Sequence, residues 1–434
     1  METLPLQHQK FLKKLNNQMF IILLLMVACF FTWSENVAIT RGIKVVGRMG
    51  VMISSIFVYQ KIINYGSVNS LSYKNIFSPV LYLVYLTLGF ISFSWSTNPG
   101  FSALQWFMTF QSLVFAYFFV KSLKTLDIYF EGHPIRLYHL LGNTVFVLQL
   151  IFVIGMWSAP DVFFRLTDGG EEARLGGTMM NPNELGMLAG VGSACLIFDL
   201  YRFKNKIWTI VKILVILYAL FMTGSRSSLI GILLIIFFHV NQTKQKKLKF
   251  AIIAVVAAVA PFAVYTVILK GGNQDRLDEV MSLTGRLPFW KALITEGLPR
   301  EPLLGFGFMR IDYKEFFQSA HTYPGKMTHN TFMQVLMNLG FIGLTIVLFQ
   351  VFFTIKSILS EQKELKLMLI GMLIPIIINS FTEFGIFGES NYGILFYQII
   401  IFSIAFKNNH HLTRFQKIIL RKKRPDLLQK NSIY

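Results

Sequence analysis

The sequence predicts an all-α fold: a polytopic membrane helical bundle of about 12 transmembrane helices, with a large outer loop that contains short amphipathic helices. Three observations predict it. Of the 434 residues, 54% are hydrophobic and only 15% charged, against about 25% charged in a soluble protein. Mean hydropathy is +0.54, and 43 phenylalanines exceed what one soluble core would hide. Twelve separate apolar runs can be marked, and none shows the alternation of a transmembrane β-barrel. In lipid no water satisfies an open strand edge, so the runs are read as helices. An ordinary cytosolic enzyme, a disordered chain and a fibrous repeat are excluded.

The runs lie at approximately 18–33, 45–63, 77–95, 101–120, 138–159, 184–201, 207–222, 227–243, 250–269, 330–354, 367–386 and 392–406. The first has no convincing small-residue cleavage site and reads as a span rather than a signal peptide. The second is the weakest, because it carries Arg48 and several small polar residues. Cys29 and Cys195 both sit inside apolar runs, and two cysteines are too few for a disulfide framework or a four-ligand zinc site. No internal repeat argues for an inverted-repeat transporter.

Charge orients the bundle. The formal net charge of +19 reads as the positive-inside rule and not as nucleic-acid binding. With the N-terminus inside, the inner tails and loops hold 26 of the 41 Lys and Arg. The outer loops hold 14, eight of them in one long loop, and long loops obey the rule weakly. Both termini are therefore expected in the cytoplasm. Residues 1–434 form a single integral membrane domain in this reading. Its outer loops are 160–183 and 270–328, the second carrying part of the active site, and 407–434 is a basic cytoplasmic tail. That tail contains "RKKR" (Arg421 to Arg424), which suits anionic lipid headgroups. The 270–328 loop is too long for a structureless connection. Its stretches "RLPFWKALI" and "IDYKEFFQS" suit amphipathic helices on the outer membrane surface.

Four polar clusters fall on the outer side: Arg174 with "GGTMMNPNELG"; "TGSRSS" with Arg226; "GRLPFW" with "PLLGFGF", holding Arg286, Trp290, Gly305 and Gly307; and "THN", with His329 and Asn330. Arg174 and Arg226 can snorkel to headgroups. Alternatively, converging guanidinium forks would clamp a pyrophosphate, since each binds two oxygens at once. His329 is either a satisfied interfacial histidine or a general base; His321 is a second candidate base. Asn330 can cap the tenth helix, and Asn181 before Pro182 suits a turn or cap. Gly305 and Gly307 suit turns better than a phosphate cradle. Glu383, near the outer end of the eleventh span, needs a partner at that depth, and an arginine is the obvious one. Glu389 follows six residues later. Asp199 and Lys212 lie near the inner face with no role assigned.

The order of these motifs is more specific than the parts. Arg174, "NPNELG", "TGSRSSLIG", "GRLPFW", "PLLGFGF", "HN" and "LGFIG" together resemble the O-antigen ligase and O-antigen polymerase family of bacterial inner-membrane glycosyltransferases, most densely from Arg174 to Gly343. The resemblance implies a fold of roughly a dozen spans. It implies no cofactor and no metal, and an active site on the outer face of the inner (cytoplasmic) membrane. The implied donor is a glycan on undecaprenyl pyrophosphate; the implied acceptor is another glycan or lipid A-core. Arg174 and Arg226 are expected to hold the pyrophosphate, Arg286 to extend the clamp, and His329 to act as catalytic base. Asn330, Glu383 and His321 support them. The leading expectation is polymerisation of repeat units for O-antigen, capsule or exopolysaccharide. A ligase of the same family is the alternative. A lipid-linked glycan transporter is remoter, because the arginines and His329 gather at one end of the spans and not at the bilayer midplane.

Overall fold

The computed structural model describes residues 6–66, 71–130, 135–167, 172–200, 206–242, 286–308 and 328–406, with scattered positions between 246 and 265. The fold is all-α and polytopic. Its helices are α1 (Leu6–Ala28), α2 (Val37–Gly66, with one π turn), α3 (Phe77–Ile91), α4 (Pro99–Tyr129), α5 (Leu137–Ser158), α6 (Pro182–Leu200), α7 (Lys206–Met222), α8 (Arg226–Gln242), α9 (Arg286–Ala292), α10 (Thr331–Leu359), α11 (Lys363–Ser380) and α12 (Tyr392–Ala405). Among the described residues, eight helices are long and apolar enough to cross a membrane. Each apolar run marked in the sequence coincides with a helix except 250–269, most of which lies outside the described residues. So do "IDYKEFFQS", His321 and the 407–434 tail.

Two helices form the centre. Every residue of α12 is buried, and α6 is nearly as enclosed. Apolar and small residues make up most of both helices, as protein-surrounded helices require. Small residues let neighbours approach α6: Gly186 meets Ser228, Gly190 meets Pro375 and Gly192 meets Val145, which is how helices pack closely without a hydrophobic drive from lipid.

Three features depart from the sequence reading. A two-stranded antiparallel hairpin, β1 (Phe164–Thr167) with β2 (Glu172–Leu175), occupies the 160–183 segment and pairs Arg165 with Arg174. Residues 381–391 form an irregular connection between α11 and α12, so Glu383 lies beyond the last helical residue, Ser380, and not within a span. Lastly, α10 is broken at Gly340, which adopts φ +62° and ψ −163°. That conformation belongs essentially to glycine.

The break has a structural purpose. It frees the carbonyls of Met337 and Asn338, which accept hydrogen bonds from Phe306 N (2.9 Å) and Gly307 N (2.8 Å). In return Phe341 N donates to Pro302 O at 2.8 Å. The "PLLGFGF" segment is thereby stitched into the interrupted helix, and these freed backbone groups are satisfied within the protein. Gly305 (φ +65°) and Gly307 (φ +108°) make the turns that this close approach needs.

A Cβ at Gly340 would collide with the Leu303 carbonyl, and the backbone conformation alone costs a side chain about 1–3 kcal/mol. Gly340→Ala is therefore expected to lower the thermal midpoint in detergent by several degrees and detach the 301–308 segment. A midpoint equal to wild type would refute the role of the break.

Candidate active site

The 381–391 connection is pinned from several sides. Thr331 Oγ1, in the first turn of α10, donates to Phe387 O (3.3 Å) and receives Gly385 N (3.3 Å). Asn391 caps α12 through Ile394 N and donates its amide to Phe384 O at 2.8 Å. Gln105 of α4 donates to Glu389 Oε1 (3.1 Å) and accepts from Ser390 N (3.3 Å). Arg48, 1% exposed and stacked 3.7 Å over the Phe30 ring, donates to Ser390 Oγ at 2.8 Å. The arginine that weakens the second run is thus a tie from α2 to this connection.

The connection presents Glu383, only 4% exposed. Its Oε2 accepts from His329 Nδ1 at 2.7 Å. Its Oε1 accepts from Arg286 (3.2 Å) and from the Asn183 amide (2.8 Å). Arg286 also donates to Thr382 O, while its buried Nε has no hydrogen-bond partner among the described residues. Burial raises the Glu383 pKa, but the charge and hydrogen bond of His329, the charge of Arg286 and the Asn183 amide outweigh it and hold the group near 2, below the ordinary 4.5. Glu383 is a carboxylate at any physiological pH.

His329 sits at φ +48°, a left-handed conformation rare for a side-chain-bearing residue. The neighbouring structure enforces it. Trp290 donates to Thr328 O at 2.7 Å, and Thr328 Oγ1 donates to Asn330 O at 2.8 Å. Asn330 caps α10, accepting from Phe332 N (2.9 Å) and Met333 N (3.0 Å), and donates to Phe381 O. Nδ1 is committed to Glu383, which leaves Nε2 as the other polar atom of the ring.

Arg174 on β2 donates to Thr223 O (2.7 Å) and Asn183 Oδ1 (2.8 Å) and lies along Gly224, whose φ is +58°. Arg226 is the first residue of α8, just past that turn, and not within it. Ser225 Oγ, in the turn, bonds Ser228 Oγ at 2.8 Å. Arg174, Asn183, Glu383, Arg286 and His329 therefore form one connected chain, with Arg226 beside the turn that holds Arg174. Asn181 shapes the approach by accepting from Asn183 N at 2.9 Å. Asn183 is the residue that sequence reasoning missed; "NPN" reads only as a turn. His321 lies outside the described residues.

Residues 211–348 match the family model described as O-antigen ligase. The match covers about a third of the chain. The matched segment holds Arg226, Arg286, His329 and Asn330; Arg174, Asn183 and Glu383 lie outside it and are joined to it by the contacts above. The comparison with curated proteins gave no match. The match, on a polytopic helical bundle, supports an O-antigen ligase- or polymerase-type membrane enzyme.

Because the Glu383 pKa is depressed on folding, its ionised form stabilises the fold above pH 4.5, and that stability is lost as pH falls toward about 2. Glu383→Gln should melt several degrees below wild type near neutral pH, and the gap should close across that acidic window. A gap constant with pH would contradict the assignment.

Proposed function

We propose that the protein transfers a glycan from undecaprenyl pyrophosphate to a glycan hydroxyl at the outer face of the bacterial inner membrane, polymerising oligosaccharide repeat units. The observation that carries this reading is the bridging of His329 and Arg286 by one carboxylate, Glu383. A base and an anion-binding group held at fixed separation suit a reaction in which a proton leaves one partner and a pyrophosphate leaves the other.

In the proposed reaction the acceptor hydroxyl attacks the anomeric carbon of the donor. Its proton passes to His329 Nε2, the new glycosidic bond forms and the bond to pyrophosphate oxygen breaks. Glu383 stabilises the resulting imidazolium, as a buried carboxylate does for a catalytic histidine. The arginines take up the charge on the leaving oxygens. Arg286 has a buried Nε with no hydrogen-bond partner among the described residues, Arg174 is positioned by Thr223 O and Asn183 Oδ1, and Arg226 opens α8, whose N-terminus favours anions. Pyrophosphate is already a good leaving group, so a general acid is less critical.

His329→Ala should cut turnover roughly 10²–10⁴-fold while affinity for undecaprenyl pyrophosphate survives. The assay supplies the purified protein with the host's lipid-linked repeat unit alone and resolves products on a gel. A ladder of multiples that disappears in the variant supports a polymerase. No ladder until lipid A-core is added would replace it with a ligase. Wild-type turnover in His329→Ala would remove the histidine from the mechanism.

A further inference from the structure

A cavity of about 670 Å³ lies beside the candidate active site. That is within the ~300–1,000 Å³ of small-molecule sites. Its walls come from α2, the 160–183 segment and the start of α6, including Lys44, Asp161, Phe164, Arg165, Asn181 and Glu184. Glu184 follows Asn183, the amide that joins Arg174 to Glu383, and lies within electrostatic reach of Glu383, Glu389 and Lys44. The cavity and the Glu383 cluster therefore share the Asn181–Glu184 wall.

The lining identifies the ligand chemistry. Its ionisable groups are of both kinds, Lys44 and Arg165 beside Asp161 and Glu184. A phosphate would meet two carboxyl groups there, unlike at the arginine cluster. A lipid tail would gain nothing from the charged groups of the lining and would desolvate them. Sugar hydroxyls both donate and accept, and they are matched by cationic donors, carboxylate acceptors and the Thr32, Thr178 and Asn181 side chains, with Phe164 as an apolar face. We infer that this cavity is a glycan subsite, in which Glu184 and Lys44 determine which sugar is accepted. The inference rests on the glycan-transfer reading above.

The sugar can belong to the acceptor or to the donor glycan, and the experiment separates the two. Glu184→Gln, Lys44→Gln and Arg165→Gln are measured in three ways: acceptor KM, affinity for glycan-bearing donor, and affinity for bare undecaprenyl pyrophosphate. Arg165 lies on the hairpin and outside the helical core, so its variant keeps the test alive where the other two fail to fold. A roughly tenfold rise in acceptor KM, as expected for losing a charged hydrogen bond, assigns the cavity to the acceptor. A similar loss confined to glycan-bearing donor assigns it to the donor glycan. No change in either, or an equal loss for bare undecaprenyl pyrophosphate, overturns the subsite. If the wild-type protein transfers no glycan, the transferase reading fails, while the difference between glycan-bearing and bare lipid still tests the cavity.

Discussion

One buried carboxylate holds the site together. Glu383 accepts hydrogen bonds from a histidine on the threshold of α10, an arginine at the start of α9 and an amide at the start of α6. Each comes from a different part of the chain, and the shared anion joins them. A buried charge is costly unless it is paired and fully hydrogen-bonded. Glu383 meets that condition only when all three partners are in place, so the carboxylate selects one arrangement of α6, α9 and α10.

The scaffold follows from this constraint. The carboxylate that faces three elements occupies the irregular 381–391 connection. In a membrane fold such backbone is tolerated where protein encloses it. Here Thr331, Asn391, Gln105 and Arg48 enclose it. The break of α10 at Gly340 serves the same end of the bundle, anchoring the segment that follows α9 and so limiting where Arg286 can lie. The glycan subsite inferred beside it uses the other side of the Asn181–Glu184 wall.

The helices were legible because hydropathy reports them directly, and the apolar runs coincide with helices wherever the chain is described. Their ends were less legible. The eleventh run stays apolar through Ile386, so periodicity carries Glu383 into the span although the backbone has left the helix at Ser380. "LGFIG" reads as continuous helix, because nothing in its composition distinguishes a glycine that packs from one that breaks. The hairpin strands are too short, at four residues each, for a period of two to register. Of the site, the charged residues stood out through their rarity in apolar surroundings, and Glu383 was expected to need an arginine. Asn183 and the partnership of His329 with Glu383 were not visible, since both join residues far apart in sequence.

The most direct test of a single organising carboxylate is Glu383→Gln in folded, purified protein, reading transfer rate and undecaprenyl-pyrophosphate affinity side by side. Loss of the anion should release Arg286 and misorient His329 together, so both quantities should fall. A variant that loses one and keeps the other would contradict the account, because base and clamp would then be organised independently.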